Sequence, residues 1–129
     1  MLMPSQGMRI LVATKPVDFR KGHDGLAALA QSMLAEDPFT GTIFVFRSKR
    51  ADRLKILFWD GTGLWVACKR LEEGRFSWPK PSRAGQTRLA LTPEALAMLT
   101  DGIELRGARL RPWYEREENK ESSETIERQ

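Results

Sequence analysis

Four aspartates are the residues of this chain whose type best suits catalysis: Asp18, Asp24, Asp52 and Asp60. Carboxylates from separate segments can hold a divalent metal that cuts a phosphodiester bond. Each aspartate also fits an ordinary structural role. Two precede or open a predicted helix, where caps are common, and the other two lie in predicted turns. We therefore expect no catalytic carboxylate set and no metal site, and a metal-dependent nuclease is the least favoured alternative.

The single histidine and the single cysteine limit the remaining chemistry. His23 precedes Asp24 and could act as a base beside an orienting acid, but the sequence offers no matching nucleophile. Cys68 falls in the middle of a predicted strand, where we expect it to be inert. The glycines after Asp60 join two strands and do not open a helix, so they form no nucleotide-binding motif. No catalytic residue and no cofactor is predicted.

Positive charge is distributed unevenly along the chain. The net charge is +4, but the segment 115–129 holds six acids and three bases. The remaining body has 18 bases and 11 acids, which gives +7. A basic body with an acidic tail favours contact with a polyanion, and an ordinary solvated surface is the alternative.

Much of this positive charge falls in predicted turns and loops and at strand ends. Basic side chains at such positions suit contacts with DNA phosphates. The predicted phosphate contacts are Arg47, Lys49, Arg50, Arg53, Lys69, Arg70, Arg75, Lys80 and Arg83. Trp78 lies beside the basic loop, and we predict that it stacks on a base or on a partner.

The elements that must position these residues follow from apolar patterning. Short runs rich in β-branched and aromatic residues predict strands at 9–14, 42–47, 54–59, 64–71 and 75–78. Helical spacing predicts one helix that starts near Asp18 or Asp24 and ends at about Ala35, before Asp37-Pro38. A second helix opens with Thr92 as its cap and Pro93 in its first turn, and it ends at Gly102.

The third and fourth strands form a predicted hairpin around Asp60-Gly-Thr-Gly63. With a two-residue loop, even-numbered residues of one strand face odd-numbered residues of the other. Both faces are then apolar in the middle, which predicts a central hairpin covered on both sides. Trp59 and Trp65 are accordingly predicted to be core or interface residues.

These elements predict an α+β fold, an antiparallel sheet of about five strands with two helices packed on it. Residues 1–8 form a loose leader, 9–114 a single domain, and 115–129 a charged, disordered tail. No apolar run is long enough for a membrane helix, and no signal peptide is recognised. With one cysteine, the chain fits a reducing cytoplasm.

Four blocks of the sequence together resemble a family from bacterial mobile elements: VDFRKGHDGL (17–26), FRSKRADRLKIL (46–57), WDGTGLW (59–65) and KRLEEGRFSWP (69–79). They are similar to TnpB, the second open reading frame product of the insertion sequence 66 class, which is unrelated to the RNA-guided nuclease of that name. The resemblance runs from about Arg9 to Trp113. His23 replaces a frequent aromatic of the family, and Ala51 replaces a frequent glycine.

The resemblance implies an accessory protein for transposition to which no catalysis is assigned, and a transposase as the larger partner. Our first hypothesis is that the chain binds DNA at the ends of the element and assists the transposase. The second is a protein-interaction module that contacts the transposase, or another accessory protein of the element, and binds little DNA.

Overall fold

The computed structural model describes residues 8–102. The elements are β1 (Ile10–Ala13), α1 (His23–Ser32), β2 (Ile43–Arg47), β3 (Arg53–Trp59), β4 (Leu64–Arg70), β5 (Arg88–Ala90) and α2 (Pro93–Thr100). Five strands and two helices confirm the predicted α+β class. The predicted tail, and the leader apart from Met8, lie outside the described residues. None of the described helices is long and apolar enough to cross a membrane.

The sheet is mixed, with the strand order β4-β3-β2-β1-β5. β1 and β2 run parallel, with Ile10 opposite Ile43 and Val12 opposite Val45. The other three pairs are antiparallel, as predicted for the whole sheet. The exception arises because α1 connects β1 to β2. A strand that leaves through a helix and returns to the neighbouring position runs in the same direction as the first.

The predicted fifth strand at residues 75–78 is wrong. This segment is irregular, and the fifth strand is instead β5, where Leu89 lies opposite Val12. The alternating aromatic residues of this segment have the pattern of a strand, but in the structure they anchor the loop. Phe76 is buried, and the Trp78 indole Nε1–H donates to the carbonyl oxygen of Ala13 at 2.8 Å.

The β3–β4 hairpin has the predicted face pattern. Trp59 lies opposite Leu64 and Phe58 opposite Trp65. The Asp60 N–H donates to the Gly63 carbonyl at 3.1 Å, which leaves two residues in the tight turn. The expected central position is correct for β3 only, because β4 is the outer strand of the sheet.

The two helices cover opposite faces of the sheet. On one face, the buried α1 residues Leu26 and Ala30 belong to a cluster with Phe44 and Leu57. On the other face, α2 residues belong to a cluster with residues of β1, β2, β3 and β5 and of the loops beside them. The buried members of this cluster are Ile10, Val12, Ile43, Val45, Leu54, Ile56, Phe58, Phe76, Leu89, Leu91, Ala95, Leu96 and Leu99. The sheet is therefore the middle layer of three.

The helix starts differ in how well the sequence predicts them. α1 begins at His23 with Gly22 as its cap and no side-chain cap bond, so neither predicted aspartate caps it. Asp24 lies in its first turn. α2 begins as predicted: the Thr92 hydroxyl accepts the Ala95 N–H at 3.0 Å, with Pro at the first helical position. Burial of a regular amphipathic face, rather than capping, sets the start of α1.

Candidate nucleic-acid interface

Most of the predicted phosphate contacts lie at one end of the sheet. β1 and β2 end there, and the antiparallel partners place the end of β4 and the starts of β3 and β5 at the same level. Residues distant in sequence therefore meet in space. We call this end of the sheet, with its turns and loops, the basic end.

The turn between β2 and β3 is held rigidly by its own hydrogen bonds. Ser48 N donates to the Arg53 carbonyl at 3.0 Å, and the Ser48 hydroxyl donates to Asp52 Oδ1 at 3.2 Å. Ser48 Oγ also accepts the Arg53 N–H at 3.2 Å. Lys49 and Arg50 are exposed at the tip. A rigid turn presents these two charges in a fixed position, which lowers the entropic cost of binding an anion.

The loop after β4 is attached to the same turn. The Leu71 N–H donates to the Asp52 carbonyl at 2.9 Å, and the Phe76 N–H donates to the Ala51 carbonyl at 2.6 Å. These bonds bring Arg75, which is exposed, next to the β2–β3 turn. Two segments separated by about twenty residues thus form one surface.

Arg53 and Arg70 are directly opposite each other on β3 and β4. Facing side chains of an antiparallel pair have Cβ atoms about 5 Å apart, and like charges at that distance repel. Arg70 has a weak ion pair with Glu72 at 3.5 Å, and both side chains are largely exposed. An anion bound between the two arginines would relieve this repulsion.

Ion pairing divides the arginines of the described region into two groups. Arg9 and Arg88 both bind Glu36, and Arg20 binds Asp18. The carboxyl of Glu36 has a lowered pKa, first because Arg9 donates to it. Within residues 8–102, no ion pair involves Lys49, Arg50, Arg53 or Arg75. All four of these cations lie at the basic end.

Arg47 contributes less outward charge than the sequence suggests. Its Nη1 donates to the carbonyls of Ser48 and Lys49, at 3.3 and 3.4 Å. Its Nε is buried without a hydrogen-bond partner. Burial lowers the pKa of the guanidinium, because the charged form loses hydration.

Lys69 belongs to the opposite face. It alternates with Arg70 along β4, and its Nζ donates to the Thr100 carbonyl at 2.6 Å. A cation at this position satisfies the carbonyl end of α2 and is favoured by the helix dipole. The structure therefore separates Lys69 from Arg53 and Arg70.

The remaining predicted contacts lie on the loop between β4 and β5. Lys80 and Arg83 are exposed. Their loop is tied to the end of β1 by Thr14, whose hydroxyl donates to the Gln86 carbonyl at 2.7 Å. Trp78 is half-buried against the α2-face cluster, with its N–H bound to Ala13. Its position suits anchoring of the loop better than free stacking.

A pocket of about 560 Å³ opens beside the β2–β3 turn. The turn forms one wall, and the segment 16–19 forms the other. Lys55 holds that segment in place: its Nζ donates to the carbonyls of Phe19 and Lys21, at 2.8 and 2.9 Å, and lies over the Phe19 ring. The sequence reasoning missed this role because the acceptors are backbone atoms.

Lys15 is a second residue that the sequence reasoning missed. It is exposed two residues after the end of β1, as Lys49 is two residues after the end of β2. Since parallel strands end at the same edge, this lysine also lies at the basic end. If residues 9–47 are interpreted as a strand, a helix and a parallel strand, the position of Lys15 at this end of the sheet follows.

The four aspartates do not converge. Asp18 and Asp52 line the same pocket, but Asp60 lies beyond the other end of β3, eight residues from Asp52, which is about 26 Å along an extended strand. The Asp18 carboxyl has a strongly lowered pKa, chiefly because Arg20 donates to it. Within residues 8–102 no three potential ligands are grouped as a metal site.

Trp65 is 48% exposed, so the core alternative predicted for it is wrong. Its ring stacks on Phe58 with centroids 5.9 Å apart. Its Nε1–H donates to Asp60 Oδ2 at 2.7 Å. Trp59 is half-buried, with Phe39 packed edge-on against its ring. The hairpin thus presents one large aromatic to solvent.

Comparisons with known proteins agree with the sequence blocks. The family model described as IS66 Orf2-like protein matches residues 8–109. The chain is 46% identical over 112 residues to the uncharacterized protein y4jC of Sinorhizobium fredii, covering 87% of this chain and 93% of that protein. It is 37% identical over 106 residues to y4hO, also uncharacterized and from the same strain, covering 82% and 90%. No solved structure matches. The chain belongs to the IS66 Orf2-like family, the accessory proteins of an insertion sequence.

Proposed function

We propose that this protein is a non-catalytic accessory factor of transposition that binds DNA at the ends of its element and assists the transposase. The basic end of the sheet is the binding surface. One observation carries the proposal: four exposed cations, contributed by a rigid turn and by the loop bound to it, lie at one end of the sheet and form no ion pair among the described residues. They are Lys49, Arg50, Arg53 and Arg75.

The surface suits the phosphate backbone better than the base edges. Backbone contacts need positive charge and donors in a fixed array, whereas base readout commonly uses a helix or ribbon inserted into the major groove. The β2–β3 turn is short, and α1 and α2 pack their buried residues against the sheet. We therefore expect strong salt dependence and a modest preference for sequence.

The test replaces Lys49, Arg50 and Arg53 with alanine and measures binding to an element-end duplex across a salt series. Each lost phosphate contact should lower the slope of log K against log salt by about 0.9. The variant should therefore bind weakly at low salt, with a flatter slope. Unchanged affinity and slope would remove the basic end from the binding surface.

A matched control separates a local contact from net charge. Ala28, Gln31 and Ala97 are exposed on the helices, and their replacement by glutamate gives the same change of three charges. This control should lose less affinity than the alanine variant. A scrambled duplex in the same series measures sequence preference.

A second candidate function is favoured by Trp65. A large aromatic exposed at the edge of a sheet is typical of a protein-contact surface. In this alternative the protein contacts the transposase through the β4 side and binds little DNA. Replacement of Trp65 with serine should then abolish transposase capture. DNA binding by the free chain should be weak in the wild type and in this variant.

A further inference from the structure

The outer edge of β4 is unusually open. Within residues 8–102, β4 pairs with β3 alone. Edge strands of soluble proteins are commonly protected by proline, bulges, short length or inward charges. β4 has seven residues and no proline, and its first five positions, Leu64–Cys68, carry no charge. Such an edge is a template for another strand.

The phase of the hairpin shows which backbone groups are free. Asp60 bonds to Gly63 and Leu71 bonds to Asp52, so the odd-numbered residues of β4 direct their N–H and C=O groups toward β3. The even-numbered residues direct theirs outward. The outward set is Leu64, Val66, Cys68 and Arg70.

The strand is complementary to itself when it is reversed. Its start carries the Trp65 ring and, bound to that ring, the Asp60 carboxylate. Its end carries Lys69 and Arg70. Antiparallel pairing brings the acidic, aromatic start of one strand against the basic end of the other. Parallel pairing would instead place like charges together, which disfavours it.

We propose that β4 pairs antiparallel with β4 of a second copy of this chain, about a two-fold axis at Ala67. Val66 then lies opposite Cys68 of the second copy, and Trp65 lies opposite Lys69 of the second copy. The outward backbone groups of the two strands bond to each other. The Lys69 ammonium keeps its bond to the Thr100 carbonyl of its own copy, and its remaining donors face the Trp65 ring and the Asp60 carboxylate of the second copy. The two sheets become one of ten strands, and the two basic ends point in opposite directions.

The first test is the association state of the full chain by sedimentation over a concentration series. The wild type should dimerise reversibly. Cys68→Pro removes an outward N–H in each copy and leaves the bonds to β3 intact, so the dissociation constant should rise about thirtyfold. Cys68→Ser is the matched control and should dimerise normally. A wild type that stays monomeric throughout overturns the proposal.

The second test reports the register and does not depend on a proline variant folding. In Val66→Cys, the new thiol lies opposite Cys68 of the second copy, with Cα atoms about 5.5 Å apart, within reach of a disulfide. Mild oxidation with diamide should yield a covalent dimer. In Trp65→Cys the thiol faces Lys69 of the second copy and should crosslink much more slowly. Equal crosslinking of the two variants overturns the proposed register.

Discussion

Ala51 adopts a backbone conformation that alanine disfavours, with φ at +62°. The conformation is required because two bonds meet at this residue. Its N–H donates to the Ser48 carbonyl at 3.0 Å, and its carbonyl accepts from Phe76 at 2.6 Å. The resembled family often has glycine here, and glycine reaches this region without steric cost. The turn geometry therefore explains why glycine suits this position, and the alanine of this chain is held there under strain.

Ala51→Gly should stabilise the protein by about 0.5 to 1 kcal/mol. The relief of left-handed strain is about 1 to 2 kcal/mol, and the added freedom of the unfolded chain offsets part of it. Urea denaturation measures the change. Ala97→Gly, the same substitution on the exposed side of α2, should destabilise by about 1 kcal/mol. If both substitutions stabilise the protein, or both destabilise it, the strain argument is contradicted.

Asp60 organises the hairpin turn through its charged carboxylate. Oδ1 accepts the N–H groups of Thr62 and Gly63 at 2.8 and 2.9 Å, and Oδ2 accepts the Trp65 N–H. These donors hold the pKa of the carboxyl well below its ordinary value, with the Thr62 N–H contributing most. The stabilisation is present above the unfolded-state pKa and is lost as the pH falls below about 4.

Asp60→Asn should therefore lower the thermal midpoint at neutral pH and have less effect in acid. Thermal denaturation between about pH 7 and pH 2 tests this sign. The difference in thermal midpoint between the wild type and Asp60→Asn should narrow as the pH falls. Glu73→Gln, which removes another exposed carboxylate, should not produce this narrowing. A gap that is constant with pH would assign the effect to lost hydrogen-bond geometry rather than to charge.

At the scale of elements, Lys55 joins β3 to the segment before α1. Lys55→Met keeps most of the side-chain length and removes the ammonium, so the Phe19 and Lys21 carbonyls lose their donor. We expect a loss of about 1 to 2 kcal/mol in urea denaturation. Lys49→Met, at the exposed turn, should change stability by less than about 0.5 kcal/mol. Equal effects would show that the ammonium of Lys55 is not a structural donor.

The hairpin register was predictable because its turn chemistry is local. Asp60, Gly61 and Gly63 restrict the loop to a few forms, and two-residue loops give one face pattern. The outer position of β4 was not predictable from the same residues. Apolar residues on both faces favour a central strand, but on β4 one face carries the exposed Trp65 and the other carries the half-buried Val66.

The parallel pair and β5 were missed because they depend on distant contacts. β1 and β2 are separated by α1, and only the strand-helix-strand order signals their direction. β5 has three residues, too few for a clear period, and it is ordered by pairing with β1. Phe76 and Trp78 gave the stronger local signal, although they lie in a loop.

At the scale of the whole molecule, the candidate site was partly predictable. The sequence identifies Lys49, Arg50 and Arg53 as a basic turn, and the structure adds Arg75 to them. It also shows Lys69 bound to the end of α2, on the face that the hairpin pattern predicts for it. Charge and strand parity can be read from the sequence, but the bond between Lys69 and the Thr100 carbonyl depends on two segments that are distant along the chain.

The acidic segment 115–129 offers a prediction at this scale. α2 ends beside Lys69, and Gly102 packs near Leu71, so the chain leaves the described region close to the basic end. Removal of 115–129 changes the net charge from +4 to +7. The shortened chain should bind duplex DNA more tightly at low salt. The difference should vanish near 1 M salt, where charges are screened within about 3 Å.

A full-length variant with the six glutamates of 115–129 replaced by glutamine serves as the control. It has no negative charge in the segment but keeps its length, so it should match or exceed the shortened chain in affinity at low salt. Binding equal to the wild type in both variants would show that the segment does not compete for the basic end.

The three-layer order has a consequence for synthesis on the ribosome. The cluster on the α1 face is built almost entirely from residues 11–66, which are made first. The cluster on the α2 face needs Leu89, Leu91 and the α2 residues up to Leu99. A nascent chain can therefore complete one side of the sheet while Ile10, Val45 and Ile56 on the other side are still uncovered. Of the described elements, α2 emerges last and covers this face, and translation speed through residues 67–99 sets how long the face stays open to chaperones.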